Sequence, residues 1–182
     1  MLVKIVLICM IFLFHSSASF ELTNKINPEL NAFNQKWEFI SDTVMGGISS
    51  GTVSIIEEGE KFFLKLQGKV SLENNGGFIQ VRSAIDIKEN IYKGIEITLR
   101  GNGEKYSTHI TTDYTLFPWQ YYAHEVLTTK KWKTVKIYFD EFKKSHFYQP
   151  KSFNSKEIKT LGFVAIGKNF DVELDVKDIK LF

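Results

Sequence analysis

A jelly-roll β-sandwich, an all-β fold of two facing sheets, is predicted by three observations. Apolar residues recur at every second position in short runs, glycine-rich or polar turns separate the runs, and helical periodicity is almost absent. Of 182 residues, 43% are hydrophobic and 14% aromatic. That supplies the core of a single domain and excludes a disordered chain, which would leave too many rings in water. Roughly ten or eleven strands are expected. One open sheet of that size cannot bury a face, so two packed sheets, connected as a jelly roll, are the predicted solution.

The amino terminus is set apart first. Lys4 precedes the apolar run Ile5 to Phe14, and His15-Ser16-Ser17-Ala18-Ser19 supplies small residues for processing. The pattern predicts a secretory signal peptide over residues 1–18, a domain over 19–182, and an exported protein, periplasmic or secreted. The run is shorter than the roughly 20 residues that span a bilayer, so no stable membrane insertion is expected after cleavage. Cleavage after Ala18 would remove Cys9, the single cysteine. Thiol catalysis, disulfides, thiolate zinc sites and iron-sulfur clusters would then be excluded, leaving the packed core to stabilise the fold.

Along the rest of the chain, Ser41 to Gly51 forms a first glycine-rich patch, and Thr52 to Glu57 alternates like a strand. Phe62, Leu64 and Leu66 share a face, as do Val70 and Leu72. Glu73-Asn74-Asn75-Gly76-Gly77 is a turn before the strand Phe78 to Arg82, because Asn-Gly and Gly-Gly tolerate positive φ. Ile95, Ile97 and Leu99 form the next strand, closed by Arg100-Gly101-Asn102-Gly103. Val135, Ile137 and Phe139 repeat the pattern, followed by a loop from Lys143 to Ser155. Val172, Leu174 and Val176, with Ile179 and Leu181, end the series. Lys130, Lys131, Lys133 and Lys136 suit a solvated sheet edge that resists pairing with another chain.

Several chemistries find no support. With 23 Lys and Arg against 21 Asp and Glu, the charge excess is too small to argue for nucleic acid. The third patch lacks the last glycine of G-x-G-x-x-G and opens no helix, which disfavours a dinucleotide site. His109, His124 and His146 stand apart in sequence, and Asp171, Asp175 and Asp178 suit solvent-facing positions on the final strand better than a calcium loop. Neither metal nor cofactor is expected.

Three signals remain for a site. Gly47-Ile48-Ser49-Ser50-Gly51 matches the nucleophile pattern G-x-S-x-G, with Asp113 and His124 following in hydrolase order, but a strand-like run follows where that motif needs a helix. Arg82 and Arg100 both end strands beside polar turns; they either clamp a carboxylate or phosphate together or form structural ion pairs, with Asp42 or Glu73 as the partner. Phe117, Trp119, Tyr121 and Tyr122 cluster after Pro118 or beside it. Strand geometry would put Trp119 and Tyr121 on one face and Gln120, Tyr122 and His124 on the other. One row enters the core, and the other offers a platform to a sugar ring or an apolar segment.

These residues together resemble the complex I intermediate-associated protein 30 family, which opens with W…SDxVMGGxSxG, here Trp37, Ser41, Asp42, Val44, Met45, Gly46, Gly47, Ser49 and Gly51. The resemblance continues through Asn74 to Phe78 with Val81 and Arg82, through Arg100 to Tyr106, and through Trp119 to Tyr122, Trp132 and Leu161-Gly162-Phe163. Asn102 stands where an aspartate is common. The resemblance implies a galactose-binding-domain-like sandwich without established enzymatic activity, whose mitochondrial members act in assembly of respiratory complex I. The expected function is a non-catalytic exported binding module or assembly factor that takes a protein partner or glycan of the cell envelope. A hydrolase built on Asp42, Ser49 and His124 is the alternative. The binding residues expected are Asp42, Met45, Asn74, Asn75, Arg82, Arg100, Asn102, Trp119, Gln120 and Tyr121.

Overall fold

A computed structural model describes residues 20–21, 31–32, 35–59 and 61–182. The expected signal segment over residues 1–18, with Cys9, lies outside the described residues. Thirteen strands are present among those described: β1 (Phe20–Glu21), β2 (Asn31–Ala32), β3 (Gln35–Ser41), β4 (Ser50–Glu58), β5 (Lys61–Val70), β6 (Phe78–Ala84), β7 (Gly94–Gly101), β8 (Lys105–Thr112), β9 (Tyr122–Leu127), β10 (Lys133–Tyr138), β11 (Lys143–Lys144), β12 (Ile158–Ile166) and β13 (Phe170–Leu181). They form two antiparallel sheets. One has the order β10-β7-β13-β5-β4, with β1 also paired to β13, and the other the order β11-β9-β8-β12-β6-β3-β2. The all-β sandwich is therefore as predicted. Lys133 and Lys136 lie on the edge strand β10, where their charge opposes edge-to-edge pairing.

Period-two patterning makes the core. Leu64, Leu66, Ile95, Ile97, Leu99, Val172, Leu174 and Val176 come from the first sheet. They meet Trp37, Ile79, Val81, Ile110, Tyr122, Leu161 and Phe163 from the second. Each such side chain contributes about 1.5 to 3 kcal/mol by leaving water. The last strand needs a correction of phase, since Val176 and Ile179 are an odd number of residues apart yet both are buried. A β-bulge between Lys177 and Lys180, with Asp178 at φ 48°, restores Ile179 and Leu181 to the core.

The outer face of the first sheet carries a charged cluster. Asp175 is 6% exposed, where the sequence suggested a solvent-facing position. It accepts from Arg100 Nε at 2.7 Å and lies 3.5 Å from Lys65. The Arg100 guanidinium also reaches Glu58 and stands over the rings of Trp132 and Phe63. Long side chains thus bury a charge that the alternation pattern assigned to water.

Candidate functional site

One carboxylate ties two glycine-rich turns together. A short 3-10 helix, Asp42–Met45, follows β3, and the fully buried Asp42 side chain accepts hydrogen bonds from the backbone N–H of Ser49 (2.9 Å), Gly77 and Phe78 (3.2 Å), as well as from Ser49 Oγ. Burial alone would raise the Asp42 pKa, but the Ser49 hydroxyl and the three backbone donors overcome it and hold the carboxyl below its ordinary value. The glycines divide into two kinds. Gly46 and Gly77 take φ 90° and 141°, whereas a Cβ on Gly47 or Gly76 would overlap the Asp42 carboxyl group. Glycine at those two positions answers to close approach, where the sequence suggested turn conformation alone.

The turn holds Val44 and Met45 over the open face of the second sheet, beside a groove of about 450 Å³. Its floor comes from alternate residues of neighbouring strands: Ile40 on β3, Phe78, Gln80 and Arg82 on β6, Thr160, Gly162, Val164 and Ile166 on β12, and His109 and Thr111 on β8. Register aligns them in rows. Arg82 faces Gly162, which faces His109. The segment Pro118 to Tyr121 forms a wall, with Tyr121 stacked on His109 at 3.9 Å between ring centroids and Trp119 stacked on Phe117 at 5.0 Å. Trp119 is 58% exposed. An exposed indole beside a polar strip can cover the apolar face of a ring while amides and hydroxyls meet its rim.

Burial under this stack pushes the His109 pKa down to about 4, so the ring is neutral near pH 7. Arg82 is half-buried, and among the described residues neither an ion pair nor a side-chain hydrogen bond holds it. Among the described residues lining the groove, it is the one that is formally charged.

The expected binding residues separate into two groups. Met45, Arg82, Trp119, Gln120 and Tyr121 are brought together at the groove. Asp42 is buried in its knot of backbone donors, and Asn74 and Asn75 are exposed turn residues with φ 56° and 58°. Asn102 serves its own turn, donating to the Asp171 carbonyl at 2.7 Å and accepting from the Tyr106 hydroxyl at 2.9 Å. Arg100 lies on the other sheet, paired with Asp175 and Glu58, so the two arginines form no clamp and neither Asp42 nor Glu73 is their partner.

Gln120 borders the groove, but its amide serves the loop. Its Oε1 accepts from Leu116 N at 2.7 Å and Phe117 N at 3.3 Å, and its Nε2 donates to the Tyr148 hydroxyl. Tyr122 is buried, and His124, on the same face as alternation implied, packs on Phe142. Gln80, Thr111 and His109 supply the polar groups that Gln120 or His124 were expected to provide. Sequence reasoning missed them because a single strand shows which residues share a face but not which face is left open.

Ser49, Asp42 and His124 form no triad. Ser49 is 1% exposed, bonded to Asp42 and to the Ser71 backbone, and it precedes strand β4 in place of a helix. The buried His124 Nδ1 has no hydrogen-bond partner among the described residues.

The family profile described as Complex I intermediate-associated protein 30 (CIA30) matches residues 26–176. Comparison with curated proteins finds no match. Among solved structures, the chain is similar to the family 11 carbohydrate-binding module from Clostridium thermocellum in complex with a β-1,3-1,4-mixed-linked tetrasaccharide. The TM-score is 0.68 and the identity 14%, covering 90% of this chain and 95% of that one. It is also similar to the family 30 carbohydrate-binding module of a cellulosomal cellulase of the same organism, at TM-score 0.61 and 15% identity, over 91% and 97% of the two chains. At such identities the likeness establishes the fold.

Proposed function

The chain belongs to the Complex I intermediate-associated protein 30 family, and from that membership and its open aromatic groove we propose that it is a non-catalytic binding module that captures a glycan along the second sheet. The observation that carries this reading is the groove itself, where exposed Trp119 and the Tyr121–His109 stack flank a strip of Gln80, Arg82 and Thr111. Sugar rings have apolar faces and polar rims, and this pairing of surfaces suits both. The carbohydrate-binding modules of like fold support the same reading. With the export that the amino-terminal pattern predicts, the ligand would be a glycan of the cell envelope or beyond.

Binding to an oligosaccharide array, followed by calorimetry on the best ligand, tests the proposal. Trp119→Ala and Tyr121→Ala are expected to lower affinity about tenfold or more each while leaving the unfolding transition of Trp119→Ala nearly unchanged, since that ring is largely exposed. Retention of full affinity by both variants, or no glycan bound by the parent protein, would refute the reading.

A protein-assembly role has its own footing in the loop tips. Leu116 and Phe147 are 75% and 87% exposed, on loops joined by the Gln120 to Tyr148 hydrogen bond, and such apolar tips suit a partner protein. Affinity capture from an envelope extract is expected to lose its protein partners when Phe147 becomes serine. Identical capture by both forms would remove this second reading.

A further inference from the structure

The two arginines on strands β6 and β7, Arg82 and Arg100, differ in how their charge is met. Arg100 has Asp175, Glu58 and two aromatic rings. Arg82 is half-buried in the groove with no carboxylate within ion-pair distance among the described residues, although Glu38 is its register partner on β3. A partly desolvated cation without a counter-charge is costly, and a ligand that brings one recovers that cost on binding.

The space beside Arg82 is also open. Gly162 faces both Arg82 and His109 across the sheet, and a Cβ there would approach the Arg82 Cβ to 3.2 Å. Its bare backbone leaves a hollow between the two side chains. The other polar residues described in the lining, including Gln80, Thr111 and Thr160, are uncharged, so among the described lining residues no fixed negative charge repels an anion.

We propose that the groove selects acidic glycans, with the Arg82 guanidinium receiving the carboxylate of a uronic acid residue over Gly162 while Trp119 stacks on a sugar ring. The inference rests on the reading of the groove as a glycan site and adds its substrate class. A planar guanidinium matches a carboxylate through two parallel N–H donors, which a neutral hydroxymethyl group cannot do.

The test is calorimetric titration of the protein with oligogalacturonates, oligoglucuronates and oligomannuronates, each beside its carboxyl-reduced neutral form. At least one acid oligomer is expected to bind about tenfold or more tightly than its neutral form, as one charge-assisted pair implies. The preference should fall as salt is raised, vanish in Arg82→Gln, and persist in weakened form in Arg82→Lys, which keeps the charge without the fork. Circular dichroism melting of the variants separates loss of ligand from loss of fold. Equal binding of acid and neutral oligomers, or an acid preference that survives in folded Arg82→Gln, would overturn this inference while leaving the groove as a glycan site. Failure of every oligomer, with the neutral array also blank, would overturn both.

Discussion

Asp42→Asn is expected to lower folding stability by about 3 to 5 kcal/mol, the range seen when one partner of a buried ionic hydrogen-bond network is removed. The carboxylate accepts four hydrogen bonds from Ser49, Gly77 and Phe78. An amide of nearly the same shape turns one oxygen into a donor that faces other donors, leaving buried N–H groups unmet. Chemical denaturation should show a lower midpoint with an unchanged slope. Gly47→Ala and Gly76→Ala should destabilise the same site by displacing the carboxyl group, while Ser49→Ala, which removes a hydroxyl and keeps the backbone donors, should cost less. The acid side of the argument has a definite sign. Because the folded-state pKa of Asp42 is lowered, its contribution is present above about pH 3.8 and is lost as pH falls further. A folding free energy of Asp42→Asn within about 1 kcal/mol of the parent's would refute the account of these turns.

Stability is also expected to fall by up to about 3 kcal/mol between pH 6.5 and pH 4 because of His109. Its folded-state pKa is pushed down to about 4 by burial, against 6.5 in an unfolded chain. Between those values the unfolded chain holds a proton that the folded chain does not, so stability rises with pH across the window and is complete above it. His109→Gln should flatten this part of the profile, since glutamine does not titrate, at some cost in stacking on Tyr121. Thermal melts of both proteins at half-unit pH steps provide the measurement. A His109→Gln profile parallel to the parent's from pH 6.5 to 4 would show that some other group carries the slope.

How much of this was legible beforehand depended on the kind of interaction. Alternation such as Ile95-Glu96-Ile97-Thr98-Leu99 records burial directly, because every second side chain of a strand meets the core. The same rule placed Tyr122 and His124 on one face and Trp119 and Tyr121 together on the other, without deciding which face enters the core. It failed at Asp175 and Arg100, where side chains from three strands bury one another's charges on an outer face, and at Ile179, where a bulge shifts the phase. The glycine pairs were recognisable as turns, but that both exist to surround one aspartate was not, since Gly47 and Gly76 lie far apart in the chain.

By itself, then, the sequence determined the two-sheet sandwich, most of its core and the family, because these follow from local periodicity and from ordered motifs. Only the tertiary structure decided which sheet face stays open and which arginine lacks an ion-pair partner among the described residues. Those depend on the order β9-β8-β12-β6-β3, which brings Tyr121, His109, Gly162 and Arg82 side by side across strands remote in the chain. The physical reason is that a strand's pattern fixes what its own two faces bear, while the partners beside it and above it are set by long-range packing.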